Sequence, residues 1–258
     1  MKSHKTSKRM LTIVDHIRQL GTATVAELAA SLGVSGETIR RDAKTLEQKG
    51  QILKLHGALA LPHLAGEAPF ERRLREHSDA KRAIAKRAIQ FVEDGDSIMI
   101  DTGTTTSIFA QELRAKRNLT IVTNSSDIAR TLATVNGNTV FMAGGELKGD
   151  NGAAFGSPAV AFFAKFRVKH AFISIGALSA TDGPMDAELS ESDLARMVLS
   201  RADHRVILSD SSKFGKTALV KVCEFTDINR LITDASPDAA LSAALADAGV
   251  TVNIVTER

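Results

Sequence analysis

The stretch Val34-Ser35-Gly36-Glu37-Thr38-Ile39-Arg40-Arg41-Asp42 constrains this chain more than any other. It follows a short amphipathic segment that stops at Gly33, and it reads as the second helix of a helix-turn-helix. Wound as a helix, Ile39, Ala43 and Leu46 stack at i, i+4 and i+7 on an inner face. At about 100° per residue, Arg41, Lys44 and Glu37 then fall opposite, with Thr38 and Arg40 on the flanks. Adjacent arginines on such a helix suit phosphates and guanine edges in a DNA major groove. The plainer alternative is a solvated basic face.

The flanks extend the motif into a winged helix-turn-helix. Met10, Ile13, Val14, Ile17 and Leu20 give a helical stripe that Gly21 ends. Thr24-Val25-Ala26-Glu27 is a capping box, followed by the apolar Leu28, Ala29 and Leu32. Ser35 is placed to cap the third helix, and Gly50 stops it. Ile52-Leu53-Lys54-Leu55 alternates like a strand, with His56-Gly57 as the tip of a wing. The expected divisions are a DNA-binding module over 1–58, a linker over 59–80 and an α/β domain over 81–258. The linker is assigned because no hydrophobic period persists there.

Charge agrees with this division. Residues 1–57 hold ten Lys or Arg against five Asp or Glu, while the whole chain is only +3, so the basic excess lies in the DNA module. Counterion release on a phosphate backbone requires such a local excess. The chain has no Trp or Tyr, which disfavours base stacking as a recognition mode. A single cysteine, Cys223, excludes an internal disulfide and any cysteine-built zinc site, and it reads as a small buried hydrophobe. The seven histidines show no i, i+4 pair, so neither metal nor cofactor is expected. No run approaches the length of a membrane span, and no signal sequence follows the basic start. The expectation is a cytoplasmic protein of a bacterium, without membrane contact and beside the chromosome.

Beyond residue 80 the pattern alternates. Strands are expected at Ser97–Asp101, Leu119–Thr123, Thr139–Ala143, Ala171–Ile175, Arg205–Ser209, Arg230–Thr233 and Thr251–Val255. Between them lie helices such as Thr105–Leu113, Asp127–Val135, Ser190–Ala202 and Pro237–Ala248, with one more at Ala80–Val92 before the first strand. Short, continuously apolar strands separated by helices indicate a parallel sheet covered on both faces. Ligands bind such sheets beyond the carboxyl ends of the strands.

Four polar or glycine-rich turns fall at those ends. Asp101, Gly103, Thr104, Thr105 and Thr106 open a helix and supply the parts of a phosphate cradle. Asn124 follows the second strand, Gly144, Gly145 and Glu146 the third, and Asp210 with Lys213 a later one. Any single one could be an ordinary turn, but four on one edge suggest a shared ligand site. Lys213 is the ammonium among them.

Taken together, the chain closely resembles the DeoR family of bacterial transcription regulators over nearly its whole length. The resemblance rests on the residue 34–42 stretch with Leu46, Gly50 and His56-Gly57-Ala58. In the second half it rests on Asp101-Thr102-Gly103-Thr104-Thr105, Thr123-Asn124, Ala143-Gly144-Gly145-Glu146, Ser174-Ile175-Gly176, Glu191 with Arg196-Met197, Asp210-Ser211-Ser212-Lys213-Phe214-Gly215 and Ile232-Thr233-Asp234. Ala143-Gly144-Gly145-Glu146-Leu147 and Ser212-Lys213-Phe214-Gly215 are most similar to the glycerol-3-phosphate repressor subgroup. The resemblance implies a repressor, released from double-stranded operator DNA by a phosphorylated sugar or polyol bound in a domain related to sugar-phosphate isomerases. A homodimer or homotetramer is expected, since one recognition helix reads few base pairs.

The DNA-binding candidates are Ser35, Glu37, Thr38, Arg40, Arg41, Lys44, Lys54 and His56. Two departures bear on this. Ala58 stands where the wing usually has a second glycine. Ala177-Leu178-Ser179-Ala180-Thr181-Asp182-Gly183 replaces a loop that usually begins with an aspartate-glycine pair.

Two rivals stay open at this level. A phosphosugar isomerase would need a general base, for which Asp101, Glu146, Asp186, Glu188 and Asp210 are candidates, yet it has no use for a winged helix. A DNA-binding scaffold whose second domain only oligomerises would have no use for tandem phosphate-type turns.

Overall fold

The computed structural model describes residues 9–17, 22–49, 51–55, 58–60 and 70–255. The chain divides into two compact units, Met1–Ala68 and Pro69–Arg258.

In the first unit, residues 9–17 form helix α1. Strand β1 (Thr22–Thr24), helices α2 (Val25–Leu32) and α3 (Gly36–Gln48), and strands β2 (Leu53–Leu55) and β3 (Ala58–Ala60) follow. The capping box forms at α2: Glu27 N–H donates to Thr24 Oγ1 at 3.1 Å and Thr24 N–H to Glu27 Oε2 at 2.7 Å. Gly33 ends α2 at φ 62, a left-handed cap that glycine adopts without a Cβ penalty. Ser35 caps α3, accepting from Thr38 N–H. Ile13, Ile17, Leu28, Ile39, Ala43 and Leu46 meet in one buried cluster, as the helical stripes dictate, with Ile52 and Leu59 joining from the wing side.

The wing is an antiparallel pair, Leu53↔Ala60 through Leu55↔Ala58, and β1 adds a third strand against β3. That third strand has no counterpart in the sequence reading, because three residues are too few to show alternation. The expected stops at Gly21 and Gly50, Leu20 and the tip His56-Gly57 lie outside the described residues.

The second unit begins with α4 (Phe70–Arg75) and α5 (Ser78–Ala88). The expected 59–80 linker is therefore corrected at both ends. β3 runs through Ala60, and helix begins again at Phe70. A six-residue helix spans too few turns to display a period. The chain continues as β4 (Ser97–Ile100), α6 (Thr104–Leu113), β5 (Thr120–Thr123), α7 (Ser126–Leu132), β6 (Thr139–Met142), α8 (Ser157–Phe163), β7 (Val168–Ile173), β8 (Ala177–Ser179) and β9 (Gly183–Asp186). It ends with α9 (Leu189–Ser200), β10 (Ala202–Leu208), β11 (Val220–Lys221), β12 (Arg230–Thr233), α10 (Ala239–Asp247) and β13 (Thr251–Ile254).

Seven parallel strands order as β13-β12-β10-β7-β4-β5-β6, and β11-β9-β8 form a small antiparallel sheet. Alternation along each strand builds two cores. Ile98, Ile100, Phe172, Val206 and Leu208 pack beneath α5, α6 and α7. Met99, Val122, Ala171, Ile173 and Ile207 pack beneath α8, α9 and α10. Cys223 is buried in the second cluster, and burial pushes its thiol up to about 12, which leaves it inert. Among the described residues no helix is long and apolar enough to cross a membrane.

Strand order reverses between β4 and β7. From β4 the chain proceeds to β5 and β6 on one side, then returns to place β7, β10, β12 and β13 on the other. In a parallel sheet this switch point opens a crevice at the carboxyl ends.

Candidate functional site

On the first unit, α3 presents Glu37, Arg40, Arg41 and Lys44 to solvent, with Ser35 exposed at its start and Thr38 half-buried. Arg40 pairs with Glu37 at 3.3 Å, and Lys54 on β2 pairs with Glu47 at 3.1 Å. Arg41 and Lys44 have no carboxylate partner among the described residues, so their charges are open to an external anion. His56 lies outside the described residues. The sequence reading missed Asp42: it is on the same helix but buried, and it takes the Arg9 guanidinium from α1. Arg9, counted above toward DNA, is thereby committed inside the unit.

On the second unit, the expected turns line up on the carboxyl edge of the parallel sheet, and the switch point organises them. Asp101 follows β4, is buried, and accepts the Ser174 N–H that follows β7 at 3.2 and 3.3 Å. Gly103 sits between them in extended backbone, and a Cβ there would lie 1.8 Å from Ser174 Oγ. Glycine is required for space, and it leaves α6 without a side-chain cap. The amides of Thr104, Thr105 and Thr106 consequently have no intrahelical acceptor. α7, by contrast, is closed by Ser125, whose Oγ accepts Ile128 N–H. An anion at the start of α6 would meet open amides and the positive end of a helix dipole.

Thr106 is fully buried and its hydroxyl donates to Gly103 O at 3.1 Å, so that expected ligand contact is turned inward. Asn124 is fully buried, its Nδ2 donates to Ala154 O at 3.0 Å, and its Oδ1 has no partner among the described residues. Gly144, Gly145 and Glu146 stand exposed in the loop after β6. Asp210 is buried and caps the turn carrying Lys213, accepting Ser212 N–H at 3.1 Å. Asp234, after β12, holds the same turn through Ser211 N–H at 2.6 Å.

Electrostatics at this edge are divided. Burial drives the Asp101 carboxyl well above the usual carboxylate range, and the charges of Asp186 and Glu191 add to it. The Ser174 N–H and Thr106 hydroxyl oppose the shift. The shift is toward the neutral form, in which a carboxyl group donates a hydrogen bond as well as accepting one. Asp186, on β9, accepts Gly176 N–H at 2.6 Å.

The opposite sign gathers around Lys81 on α5. This lysine is 4% exposed, and burial lowers its ammonium below the ordinary lysine range. Asp210 draws it back up, whereas Lys213 and Arg73 push it further down. Lys81 was missed, yet a signal existed. With Ile84, Ala85 and Ala88 it completes an i, i+3, i+4, i+7 stripe, a lysine in a core position. Among the described residues no group of three His, Cys, Asp or Glu side chains is arranged to hold a metal ion.

A winged helix-turn-helix whose second helix carries cations without a carboxylate partner among the described residues, in a chain that also holds a parallel α/β unit, defines a transcription regulator with its own sensor. The chain belongs to the DeoR family. The DeoR-like helix-turn-helix domain matches residues 9–64, and the DeoR C terminal sensor domain matches residues 76–235. The glycerol-3-phosphate regulon repressor of Escherichia coli is 29% identical over 243 residues, covering 94% of this chain and 96% of that protein. The HTH-type transcriptional regulator IolR of Bacillus subtilis is 31% identical, covering 87% and 90%. The glycerol-3-phosphate regulon repressor of Haemophilus influenzae is 32% identical, covering 91% of each. Among solved structures, the ribose 5-phosphate isomerase A of Methanocaldococcus jannaschii aligns at 18% identity and a TM-score of 0.39, over 54% of this chain and 55% of its own.

Proposed function

We propose that this protein is a repressor of a carbohydrate or polyol catabolic operon. It binds double-stranded operator DNA through α3 and the wing, and it is released by a phosphorylated sugar or polyol. The open α6 N-terminus at the switch point carries this reading. There the effector phosphate takes the hydroxyls of Thr104 and Thr105 together with the helix-terminal amides, with Lys213 opposing its charge from the turn after β10. The buried Asp101 carboxyl, shifted toward its neutral form, and Asn124 Oδ1, without a partner among the described residues, suit hydroxyl groups, which both donate and accept. In this reading Ser35, Thr38, Arg40, Arg41, Lys44 and Lys54 meet the operator. The protein works in the bacterial cytoplasm as a two-fold dimer or a tetramer on repeated half-sites.

The test is a thermal-shift screen of the full chain against sugar and polyol phosphates, with glycerol 3-phosphate and inositol phosphates among them, repeated with promoter DNA present. A compound at about 100 times its dissociation constant adds about 2.7 kcal/mol. The compound that stabilises should also dissociate the DNA complex, because an effector must prefer one state to shift it. Stabilisation only by non-phosphorylated sugars, or by nothing in the screen, overturns the effector assignment. Sedimentation of a monomer bound to DNA at full affinity overturns the oligomer.

A further inference from the structure

Helix α4 is the first element of the sensor unit after the chain leaves the DNA-reading unit, and its six residues cannot hold a helix unaided. Its amino end is capped from a distant loop. Phe70 N–H donates to both carboxylate oxygens of Asp150, at 3.1 and 3.2 Å, and Arg73 approaches Asp150 at 4.0 Å. Its carboxyl end is capped by α5, where Lys81 Nζ donates to Arg73 O and, at 2.8 Å, to Glu76 O. A carboxylate at the amino end and an ammonium at the carboxyl end both complement the helix dipole.

Each clamp belongs to the effector side. Asp150 lies on the loop after β6 that carries Gly144 and Gly145, and this loop is tied to Asn124 through Ala154. Lys81 feels the charges of Asp210 and Lys213. α4 itself packs against α6, the cradle helix, and its Phe70 is buried. Three of the four ligand-side turns thus bear on one short helix.

We infer that α4 is the relay by which the effector site governs DNA binding, with Asp150 and Lys81 as the residues that position it. The ligand half of this inference rests on the effector reading above. The coupling half does not, because loosening α4 alters the start of the sensor unit whether or not an effector is bound. A phosphate drawn to Lys213 changes the field at Lys81, and the Lys81 hold on the end of α4 changes with it.

The experiment uses the full chain, its own promoter fragment as DNA, and Asp150→Ala, whose side chain is half exposed and dispensable to the core. Hydrogen exchange of residues 70–75 is read alongside DNA affinity, with Asp150→Asn as the graded variant that keeps an acceptor. Asp150→Ala should speed α4 exchange about fivefold. It should also change the dissociation constant for DNA by about fivefold or more without any effector. The response of the variant to glycerol 3-phosphate should change with it, because coupling through α4 is reciprocal, and Asp150→Asn should fall between. Unchanged α4 exchange overturns the inference, as does faster exchange with DNA affinity within about twofold of wild type. If glycerol 3-phosphate gives wild type no shift while Asp150→Ala still alters DNA affinity, the relay stands and the choice of effector falls.

Discussion

The carboxyl group of Asp101 accepts the backbone N–H of Ser174 across the one position where the order of the parallel strands reverses. This bond ties the ends of β4 and β7 together at the mouth of the crevice. It also fixes the space in which Gly103 must fit, and that constraint is directly testable.

Gly103→Ala would place a methyl 1.8 Å from Ser174 Oγ and 2.9 Å from its Cβ. We expect a loss of about 1–3 kcal/mol, the usual cost of overpacking. Ser174→Gly in the same chain should recover part of it, because the two sites share one clash. Urea unfolding of both single variants and the double reads the coupling, and strict additivity would exclude the steric account.

Asp101 gives the sensor a pH dependence of definite sign. Its folded-state proton affinity is raised, chiefly by burial, while the unfolded chain releases that proton above about pH 4. Its contribution is therefore fully present below that pH and is lost as pH rises toward the folded-state value. Asp101→Asn, neutral at every pH, should gain in Tm over wild type as pH goes from 5 to 8. A gap that stays constant over this range would show that Asp101 is ionised in the folded protein.

Arg41 faces solvent opposite Ile39, Ala43 and Leu46, without a carboxylate partner among the described residues. If it reads a base, Arg41→Ala should weaken specific operator binding by about 1–3 kcal/mol. If it meets only phosphate, specific and non-specific binding should fall together, and the salt slope should flatten by about one unit. A wild-type footprint and affinity would remove α3 from the interface.

Arg9 and Asp42 form a mostly buried pair that joins α1 to α3, with side-chain exposures of 21% and 2%. Arg9→Met leaves the Asp42 carboxylate inside without its partner, and the first unit should lose about 2–4 kcal/mol. Calorimetry should show that unit melting earlier while the sensor transition stays in place.

Thr104→Val keeps the shape of the cradle but removes a hydroxyl, and it should abolish induction while leaving operator affinity intact. Lys213→Ala should weaken the stabilising phosphate compound by about tenfold or more, the range for hydrogen bonds to charged groups. Titration of DNA release in each variant decides the matter. If both respond like wild type, the phosphate is held elsewhere.

Much of this was legible in the chain itself. The residue 34–42 stretch, the Thr24/Glu27 box and the left-handed Gly33 are local devices, each complete within a few residues. The seven strands were readable because each is a short apolar run closed by a polar turn, and a parallel sheet puts all such turns on one edge. What escaped was short or long-range. Thr22–Thr24, Phe70–Arg75 and Ala177–Ser179 hold too few residues to show a period. Lys81 alone left a usable trace, a charge standing in an apolar stripe.

The sequence determined which segments are helix or strand and which turns carry the polar groups, since backbone propensity, capping and hydrophobic period act over a few residues. Only the tertiary structure decided that Ser174 closes on Gly103, that burial, helped by Asp186 and Glu191, raises the proton affinity of Asp101, and that Asp42 takes Arg9 from α1. It also decided that Asp150 and Lys81 hold the two ends of α4. Each of these joins groups far apart in the chain. Burial, Coulomb interaction and steric exclusion depend on distance in space, which no local pattern encodes.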